Sequence, residues 1–404
     1  MSVDTKNQSI SKVDLAVANR WPMLTTEDEE AVLEVIRDGD LSCHRVTRQL
    51  EEDYREFFGM KHALAHCNGT AAMLASFFAA GLETGDEVLV PSATFWASVV
   101  PMLWTGAIPV FCESELDQLG LDPEDVERRV TPRTRAIVVV HLWGMPSKMS
   151  ELMRIARRHN LLVIEDASHA HGALYMDKRC GTFGDVSVFS LQSSKLAPAG
   201  EGGMLMTNSD QIYEQAICLG DMMRVLELES PAKRFYGTTF GVKTRMAPLS
   251  AAIGRVQFAR MQERNDKRNA NLIYLSHQLE ALGFDTFLAP QGIQRVYFEY
   301  LIRRRPGRIS VQRDELIGAL RGEGCDVSAP RYPLLHQQPL FREGQYMRIA
   351  RPLPDTILPD YRAALPQTEK GMEELIRLPA FPAANRDHLD SYVDAFERVV
   401  NRYA

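Results

Sequence analysis

Leu161-Leu-Val-Ile-Glu-Asp166 is an apolar run that ends in two carboxylates. Such a run is typical of a buried strand of a parallel sheet, with Asp166 at the carboxyl end of the strand. A second apolar run, Val186-Ser-Val-Phe189, continues through Ser190 to Lys195 and then to the glycine-rich segment Gly200-Glu-Gly-Gly203. We therefore expect Asp166 and Lys195 at the same edge of one sheet, beside a tight turn.

Strand-like and helix-like patterns alternate around these two runs. Ala136-Ile-Val-Val-Val-His141 is a nearly continuous β-branched run, as expected for a strand that is covered on both faces. Residues 70–81 form an alanine-rich helical pattern, and residues 150–159 form an amphipathic one. This alternation predicts an α/β domain with a mostly parallel sheet over residues 27–260.

The sequence pattern changes from about residue 261. Charged helical patterns and one strand-like run follow each other there, over residues 263–283, 295–302, 312–321 and 387–400. We predict a smaller α+β domain over residues 261–404, with the N-terminal segment 1–26 packing on it.

The composition excludes several classes of protein. The chain has 404 residues, 45% of them hydrophobic and 25% charged, with a net charge of -7, so a nucleic-acid-binding surface is not indicated. The apolar stretches are too short to span a membrane, and residues 1–6 lack the apolar stretch of a signal peptide. The six cysteines show neither C-x-x-C nor metal-ligand spacing. We expect a cytoplasmic protein with free thiols, no metal, no nucleic-acid partner and no membrane association.

The residues at the expected sheet edge suit pyridoxal phosphate. That cofactor requires an amine that binds its aldehyde, a carboxylate for its ring nitrogen, and small donors for its phosphate. Lys195 provides the amine and Asp166 the carboxylate. Each residue also has an ordinary interpretation, since most lysines are exposed loop charges and strand-end carboxylates often cap helices. The order and spacing of the whole set favour the cofactor site.

The phosphate would lie at the start of the helix that follows Asn68-Gly69-Thr70. Gly69 allows close approach of the backbone, and the amides of Thr70 and Ala71 point at an anion from the helix N-terminus. Ser190 adds a hydroxyl group. Taken alone, this segment is an ordinary βα turn. Phe95 follows a strand edge, where its ring either stacks on the cofactor or packs against the core.

The chain resembles the DegT/DnrJ/EryC1/StrS family of pyridoxal-phosphate-dependent aminotransferases over nearly its whole length. The motifs that carry the resemblance are Gly69-Thr70, Pro91-Ser-Ala-Thr-Phe95, His141-Leu-Trp-Gly144, Glu165-Asp-Ala-Ser-His-Ala-His-Gly172, Phe189-Ser190, Lys195, Gly200-Glu-Gly-Gly203, Arg245-Met246 and Ala251-Ala-Ile-Gly254. The resemblance implies fold type I, with a large domain, a smaller C-terminal domain, and a homodimer with shared active sites.

The resemblance also implies roles for individual residues. Lys195 is the lysine that binds the cofactor covalently, Asp166 is the partner of the pyridine nitrogen, and Phe95 stacks on the ring. His169 stands where the family usually has a glutamine near the ring hydroxyl, and Ser190, Thr70 and Ala71 hold the phosphate. Lys243 replaces an asparagine with which family members complete the phosphate site of the neighbouring subunit.

Five residues are candidates for contact with the substrates: Cys43, His44, Gln192, Tyr332 and His336. Cys43 and His44 lie where the family commonly has glycine and proline, and the loop-filling interpretation is favoured over substrate contact for both. Tyr332 and His336 align with a substrate-facing segment of the family. The segment Phe189-Ser-Leu-Gln192, three residues before Lys195, resembles the corresponding segment of the aminotransferases of cyclitol ketones and of 3-amino-5-hydroxybenzoate synthase.

The function implied is a ping-pong transfer of an amino group from L-glutamate or L-glutamine to a keto-sugar or keto-cyclitol. One alternative is an elimination or dehydration enzyme of the same fold, although family members with that activity carry histidine in place of Lys195. A second is a non-catalytic binding protein. A third is a nucleotide-dependent α/β enzyme, which lacks support because the sequence has neither G-x-G-x-x-G nor a Walker loop.

Overall fold

A computed structural model describes residues 18–351 and 358–403 of the chain. Its strands are β1 (His62–His66), β2 (Glu87–Pro91), β3 (Ile108–Cys112), β4 (Thr134–Val140), β5 (Leu162–Asp166), β6 (Leu174–Tyr175), β7 (Lys178–Arg179), β8 (Val186–Ser190), β9 (Gly203–Thr207), β10 (Phe284–Asp285), β11 (Ile293–Gln294), β12 (Tyr300–Arg304) and β13 (Leu375–Leu378). Its α-helices are α1 (Thr26–Asp38), α2 (Arg45–Phe58), α3 (Gly69–Ala79), α4 (Pro123–Arg129), α5 (Met149–His159), α6 (Asp210–Gly220), α7 (Met222–Val225), α8 (Pro248–Ala259), α9 (Met261–Ala281), α10 (Arg313–Gly322), α11 (Pro339–Arg342), α12 (Pro366–Glu373) and α13 (Arg386–Arg402).

The central sheet has seven strands in the order β1-β9-β8-β5-β4-β2-β3. Every strand is parallel to the others except β9, which runs antiparallel to both β1 and β8. In this register Asp166 lies between Val140 of β4 and Val188 of β8. The α/β expectation is confirmed, and the carboxyl ends of β1, β5 and β8 meet at one edge of the sheet.

Strand β4 shows why the strands of this sheet appear in the sequence as continuous apolar runs. Its successive residues alternate between two hydrophobic clusters, with Ala136 and Val138 in one and Ile137 and Val139 in the other. Helices α3 and α6 contribute to the first cluster, and α5 contributes to the second. Because both faces are covered, both sets of alternate side chains have to be apolar.

The C-terminal part contains a second sheet, in which β12 pairs antiparallel with β10 and β13. Its core includes Leu272 of α9, Leu316 of α10 and Phe396 of α13. Ala18 belongs to the same core, and its carbonyl accepts the Ala383 N–H at 3.0 Å. Residues 1–17 of the segment expected to pack there lie outside the described residues. The domain boundary at residues 260/261 stays a prediction.

Two predicted elements differ in the structure. The strand expected over residues 295–302 begins only at Tyr300. The Val296 N–H donates instead to the Gly144 carbonyl at 3.0 Å, so the chain joins the sheet only after this contact. The sequence of residues 98–104 also predicts a helix, but this part of the chain forms two short 3₁₀ turns, Trp96–Ser98 and Val100–Thr105, the second of which carries a proline in its first turn. Within the described ranges, no helix is long and apolar enough to cross a membrane.

Candidate active site

The carboxyl ends of β1, β5 and β8 open onto a cavity of about 450 Å³. Nine of the predicted site residues line it: Gly69, Thr70, Phe95, Asp166, His169, Ser190, Gln192, Lys195 and Tyr332. Other lining residues were not predicted from the sequence and include Asn68, Thr94, Ser98, Ser168, Glu201 and Arg331. The cavity therefore brings together residues separated by more than 250 positions in the chain.

Lys195 is buried, with 9% of its surface exposed. Its Nζ lies 4.2 Å from the centre of the Phe298 ring, and its own carbonyl accepts the indole N–H of Trp21 at 3.1 Å. Desolvation lowers the pKa of the amine to about 8, although the nearby carboxylates of Asp166 and Glu299 oppose the shift. A lysine in this environment has a substantial neutral fraction near neutral pH, as a nucleophilic or basic amine requires.

Asp166 is fixed in position by two hydrogen bonds. Its Oδ2 accepts the Ser98 hydroxyl at 2.6 Å, and its Oδ1 accepts the Ser168 N–H at 3.1 Å. The Thr94 hydroxyl lies 3.0 Å from that of Ser98. The carboxylate is thus oriented at the end of β5, with its neighbour Glu165 turned to the other side to bond His141 at 3.0 Å.

The loop between β1 and α3 lies against Ser190. A Cβ built on Gly69 would come within 2.8 Å of the Ser190 Cβ, so only glycine fits at this position without a shift of the neighbouring strand. Asn68 caps α3 by accepting the Ala71 N–H at 2.8 Å. The structure thus brings Gly69, Thr70 and Ser190 to the cavity, whereas Ala71 lies one residue deeper with its amide bonded to Asn68.

His169 forms part of the cavity wall between two aromatic rings. It stacks on Phe298 at 4.1 Å and on Tyr332 at 5.9 Å between ring centroids. Its Nδ1 accepts the Trp143 backbone N–H at 3.2 Å, so in the neutral ring Nε2 carries the proton and faces the Tyr332 hydroxyl at 3.3 Å. Burial and the nearby Lys195 hold the pKa of His169 well below its usual value, which keeps it neutral.

Phe95 and Gln192 lie on two other sides of the cavity. Phe95 is 40% exposed, with its ring 5.8 Å from that of Tyr332, so one face of the ring is free to meet a ligand. The side-chain oxygen Oε1 of Gln192 accepts the backbone N–H and the hydroxyl of Ser194, at 2.8 and 2.7 Å. Gln192 therefore holds the loop that precedes Lys195 while it also lines the cavity.

Besides Ala71, four predicted residues do not line this cavity. Cys43 is exposed, and His44 is buried at the start of α2, where its Nδ1 accepts the Val46 N–H and its Nε2 lies 2.9 Å from Asp38. Lys243 is exposed on the segment 241–245. His336 is buried between Ser92, at 2.6 Å, and Glu369, at 3.0 Å. In this chain His44 acts as a helix cap, and His336 ties its segment to the end of β2. Contact of Cys43, His44 and His336 with substrate, and of Lys243 with the partner's phosphate, stays a prediction.

The sequence reasoning missed Arg331 and Glu299. Arg331 lines the cavity, and its Nη2 lies 2.6 Å from Oε1 of Glu299, which is only 4% exposed. A signal was present for Glu299, because it is a single carboxylate inside the apolar run Val296-Tyr-Phe-Glu-Tyr-Leu-Ile302. For Arg331 the only signal was its position next to Tyr332.

A larger cleft of about 840 Å³ lies elsewhere, between α1, α2 and α8. Exposed charged side chains, among them Glu34, Arg45 and Arg255, line much of it. Of the predicted site residues, only His44 borders it. No group of three or more potential metal ligands occurs within residues 18–351 and 358–403. The smaller cavity at the sheet edge is therefore the candidate active site.

Comparison with known proteins agrees with this site. The model of the DegT/DnrJ/EryC1/StrS aminotransferase family matches residues 22–397. The chain belongs to this family. It is therefore an aminotransferase, with the fold type I architecture that its central sheet already indicates, and the family implies pyridoxal phosphate as cofactor.

Individual relatives cover most of the chain. GDP-perosamine synthase from Caulobacter vibrioides is 35% identical over 79% of this chain and 85% of its own length. A putative L-glutamine:3-amino-2,3-dideoxy-scyllo-inosose aminotransferase from Micromonospora echinospora is 32% identical over 80% of this chain and 78% of its own. The solved structure of an aminotransferase from Psychrobacter cryohalolentis superimposes with a TM-score of 0.85, covering 95% of this chain and 99% of the other at 27% identity.

The residues present at the sheet edge fit pyridoxal phosphate. The Lys195 amine, with its lowered pKa, suits the cofactor aldehyde, and the oriented Asp166 carboxylate suits the ring nitrogen. The narrow space between Gly69 and Ser190, at the N-terminus of α3, is suited to an anion such as the phosphate. Phe95 would cover one face of the ring.

Proposed function

We propose that this aminotransferase moves an amino group from L-glutamate or L-glutamine to a keto-sugar or keto-cyclitol in two successive half-reactions at one site. The observation that carries the proposal is the meeting of the Lys195 amine and the Asp166 carboxylate in a single 450 Å³ cavity. The activities named for the two relatives from Caulobacter and Micromonospora support the acceptor class. The cavity is large enough for a cofactor and a small substrate in turn.

Pyridoxal phosphate, when bound, supplies an aldehyde that takes up the donor's amine and a ring that withdraws electrons from the reacting carbon. Lys195 is suited to move the proton that leaves this carbon. With a pKa of about 8, roughly a quarter of the amines are neutral at pH 7.5, against about one in a thousand at the usual pKa. The burial of Lys195 excludes bulk water from competing for that proton.

Asp166 and His169 orient the cofactor ring in this proposal. The two hydrogen bonds from Ser98 and Ser168 hold the Asp166 carboxylate in a fixed orientation, in which it would pair with the ring nitrogen of the cofactor. His169 is neutral and carries a proton on Nε2, so it can donate a hydrogen bond toward the ring hydroxyl. The stacking of His169 on Phe298 and Tyr332 fixes its plane.

We further propose a homodimer in which Lys243 contributes to the partner's phosphate site. Exposed apolar side chains beside Lys243 support this assembly: Trp104 is 70%, Phe240 45% and Val242 36% exposed. Such a patch is typical of an interface. All six cysteines are free thiols, which supports a reducing compartment such as the cytoplasm.

The visible absorption spectrum of the purified protein tests the proposed reaction. We expect a cofactor band that decreases when L-glutamate or L-glutamine is added and returns when a keto-cyclitol or a nucleotide-linked keto-sugar follows, with the aminated product identified by mass spectrometry. Lys195→Ala serves as the inactive control.

Other outcomes would reject the proposal. A cofactor band that neither donor changes would exclude transamination with these donors and favour elimination or dehydration. The absence of any band after addition of pyridoxal phosphate would favour a binding role. Light scattering during size-exclusion chromatography decides the assembly, since a monomer at micromolar concentration would contradict the shared site.

A further inference from the structure

The cavity has one arginine among the described residues that line it, and that arginine is paired with a buried glutamate. Arg331 is 49% exposed at its side chain, whereas the side chain of Glu299 is 4% exposed. Their closest atoms, Nη2 and Oε1, are 2.6 Å apart. A guanidinium group has five N–H donors, and within the described ranges Arg331 forms neither a normal hydrogen bond nor a second ion pair. Most of its donors are therefore available to a ligand in the cavity.

The Glu299 carboxylate has few partners besides Arg331. Neither of its oxygens has a hydrogen bond of normal geometry within residues 18–351 and 358–403, although the Trp143 indole lies close by. Burial raises the pKa of Glu299, and the charge of Arg331 is the largest influence that opposes this. A carboxylate buried in this way needs its cation, because a buried charge without a partner is strongly destabilising.

The backbone that carries Arg331 is held on both sides. On the N-terminal side, Ser328 N–H bonds the Arg377 carbonyl at 3.0 Å, and on the C-terminal side His336 is bonded to Ser92 and Glu369. Tyr332, the next residue, is fixed through His169. The guanidinium group therefore starts from a fixed point at the cavity wall, and the charge of Arg331 is close enough to Lys195 to lower its pKa.

The two substrates of the proposed reaction place opposite demands on this site. An amino-acid donor carries a carboxylate on the carbon that bears the amine, whereas a keto-sugar or keto-cyclitol has a hydroxyl-bearing carbon there. An arginine with free donors is well suited to the carboxylate. An arginine without any counter-ion would be unfavourable beside this uncharged part of the acceptor.

We propose that Arg331 binds the α-carboxylate of the amino donor, and that Glu299 is a positioning residue that holds the guanidinium group and balances its charge when the acceptor occupies the cavity. This inference rests on the proposed function and names the residue that selects the donor. It explains how one cavity accepts in turn, at the same position, the carboxylate of the donor and the uncharged hydroxyl-bearing carbon of the acceptor.

Binding of α-methylglutamate tests the inference directly. This probe keeps the amine and both carboxylates of the donor but has no proton to lose at the α-carbon, so its dissociation constant is measured by spectral titration without turnover. For Arg331→Gln we expect a dissociation constant roughly ten- to a hundredfold higher than for wild type, as for the loss of charged hydrogen bonds, with Arg331→Lys in between. Arg398→Gln, at the exposed pair with Glu323, is the matched control and should not change it.

The acceptor half-reaction separates a donor-binding role from a structural one. We expect half-saturation by the acceptor to change less than about threefold in Arg331→Gln, since the acceptor has no carboxylate for the arginine. L-Glutamate and L-glutamine should be weakened equally, because they share the α-carboxylate. In Glu299→Gln the amide oxygen can still hold the guanidinium group while the competing negative charge is removed, so α-methylglutamate should bind more tightly than in wild type.

Each contrary result would overturn a different part of the inference or the proposed function itself. An unchanged dissociation constant in Arg331→Gln, in a protein that still aminates its acceptor, overturns the inference and leaves the proposed function intact. Equal losses in both half-reactions indicate a structural role, and weakening of L-glutamate alone assigns the arginine to the side-chain carboxylate. Weaker binding in Glu299→Gln overturns the balancing role. A wild-type protein that takes no amino group from either donor overturns the proposed function itself.

Discussion

The candidate active site has two walls that differ in how the chain builds them. The sheet-edge wall consists of Gly69, Asp166, Ser190 and Lys195, which lie at or just after the ends of β1, β5 and β8. The C-terminal wall consists of Arg331 and Tyr332, which line the cavity, and of Phe298 and Glu299, which contact the lining residues from behind; all four come from irregular segments before and after β12. The first wall carries the groups expected to hold the cofactor, and the second carries the groups that distinguish the substrates.

This difference reflects two kinds of structural constraint. The sheet-edge wall is fixed by strand register and by close approach, as where Gly69 leaves no space for a Cβ beside Ser190. The C-terminal wall is fixed by a few long-range contacts, such as those that bind His336 to Ser92 and Glu369. We therefore expect substitutions in the first wall to abolish or weaken the chemistry as a whole, and substitutions in the second to alter substrate preference or the electrostatics of Lys195.

Lys195→Ala should have the largest effect. Loss of the amine removes both the group that binds the cofactor covalently and the group expected to move the proton, so turnover should fall by at least about a thousandfold. Circular dichroism should show an unchanged fold, because the substitution removes a partly desolvated charge. Steady-state amination of a keto-acceptor measures the loss. Retention of more than a tenth of the activity would mean that the sheet-edge wall is not the site of chemistry.

Asp166→Ala should rank second, with turnover reduced by about a hundred- to a thousandfold, as for the loss of a group that stabilises developing charge.

Ser98→Ala tests the hydrogen bond that supports the Asp166 carboxylate. It removes the 2.6 Å hydrogen bond to Oδ2 and leaves the carboxylate in place, so we expect a loss of roughly tenfold. Single-turnover kinetics with both variants would measure this. Equal losses in the two variants would contradict the ranking and assign Ser98 a direct part in the chemistry.

The two walls also differ in how well their residues could be predicted from the sequence. Asp166, Ser190 and Lys195 could be located because apolar runs reveal strands, and parallel strands present their carboxyl ends at one edge. The central α/β fold was predicted for the same reason and is confirmed. His169, Tyr332 and Gln192 line the cavity as well, but they were proposed from family resemblance and not from any local pattern.

Sequence reasoning was insufficient where a side chain's role depends on distant packing. Nothing near residue 336 indicates that Ser92 will lie 2.6 Å from the imidazole, since 244 positions separate the two residues. The same is true of Arg331 and its partner Glu299. His44 was considered for substrate contact because it lies where the family commonly has glycine and proline, whereas its position before α2 makes it a helix cap in this chain. Local patterns predict strand ends well, and they say little about which loops cover them.

Gly69→Ala should have a moderate effect on the sheet-edge wall. The added Cβ would come 2.8 Å from the Ser190 Cβ and displace the loop that we expect to hold the phosphate, so the cofactor should bind roughly tenfold more weakly. Gly318→Ala is the matched control. Gly318 is exposed within α10 with no atom within 4 Å of a new Cβ, so this variant should be more stable by about 0.5–1 kcal/mol. Fluorescence titration with pyridoxal phosphate and thermal unfolding measure the two effects. Equal cofactor affinity in both variants would contradict the close-approach argument.

The smallest expected effect is a shift in the pH dependence of Lys195 caused by the C-terminal wall. Capture of pyridoxal phosphate by the cofactor-free protein requires the neutral amine, so its rate should rise with pH and level off above the pKa of about 8. Arg331 lowers this pKa and Glu299 raises it. Arg331→Gln should therefore move the midpoint to higher pH and Glu299→Gln to lower pH, each by less than about one unit, because the cavity is open to solvent at Arg331. Stopped-flow absorbance between pH 6 and 10 measures the midpoints, with Arg398→Gln as the control. Shifts in the same direction would mean that the variants act by distorting the cavity, whereas opposite shifts would establish that the C-terminal wall acts on the amine through its charges.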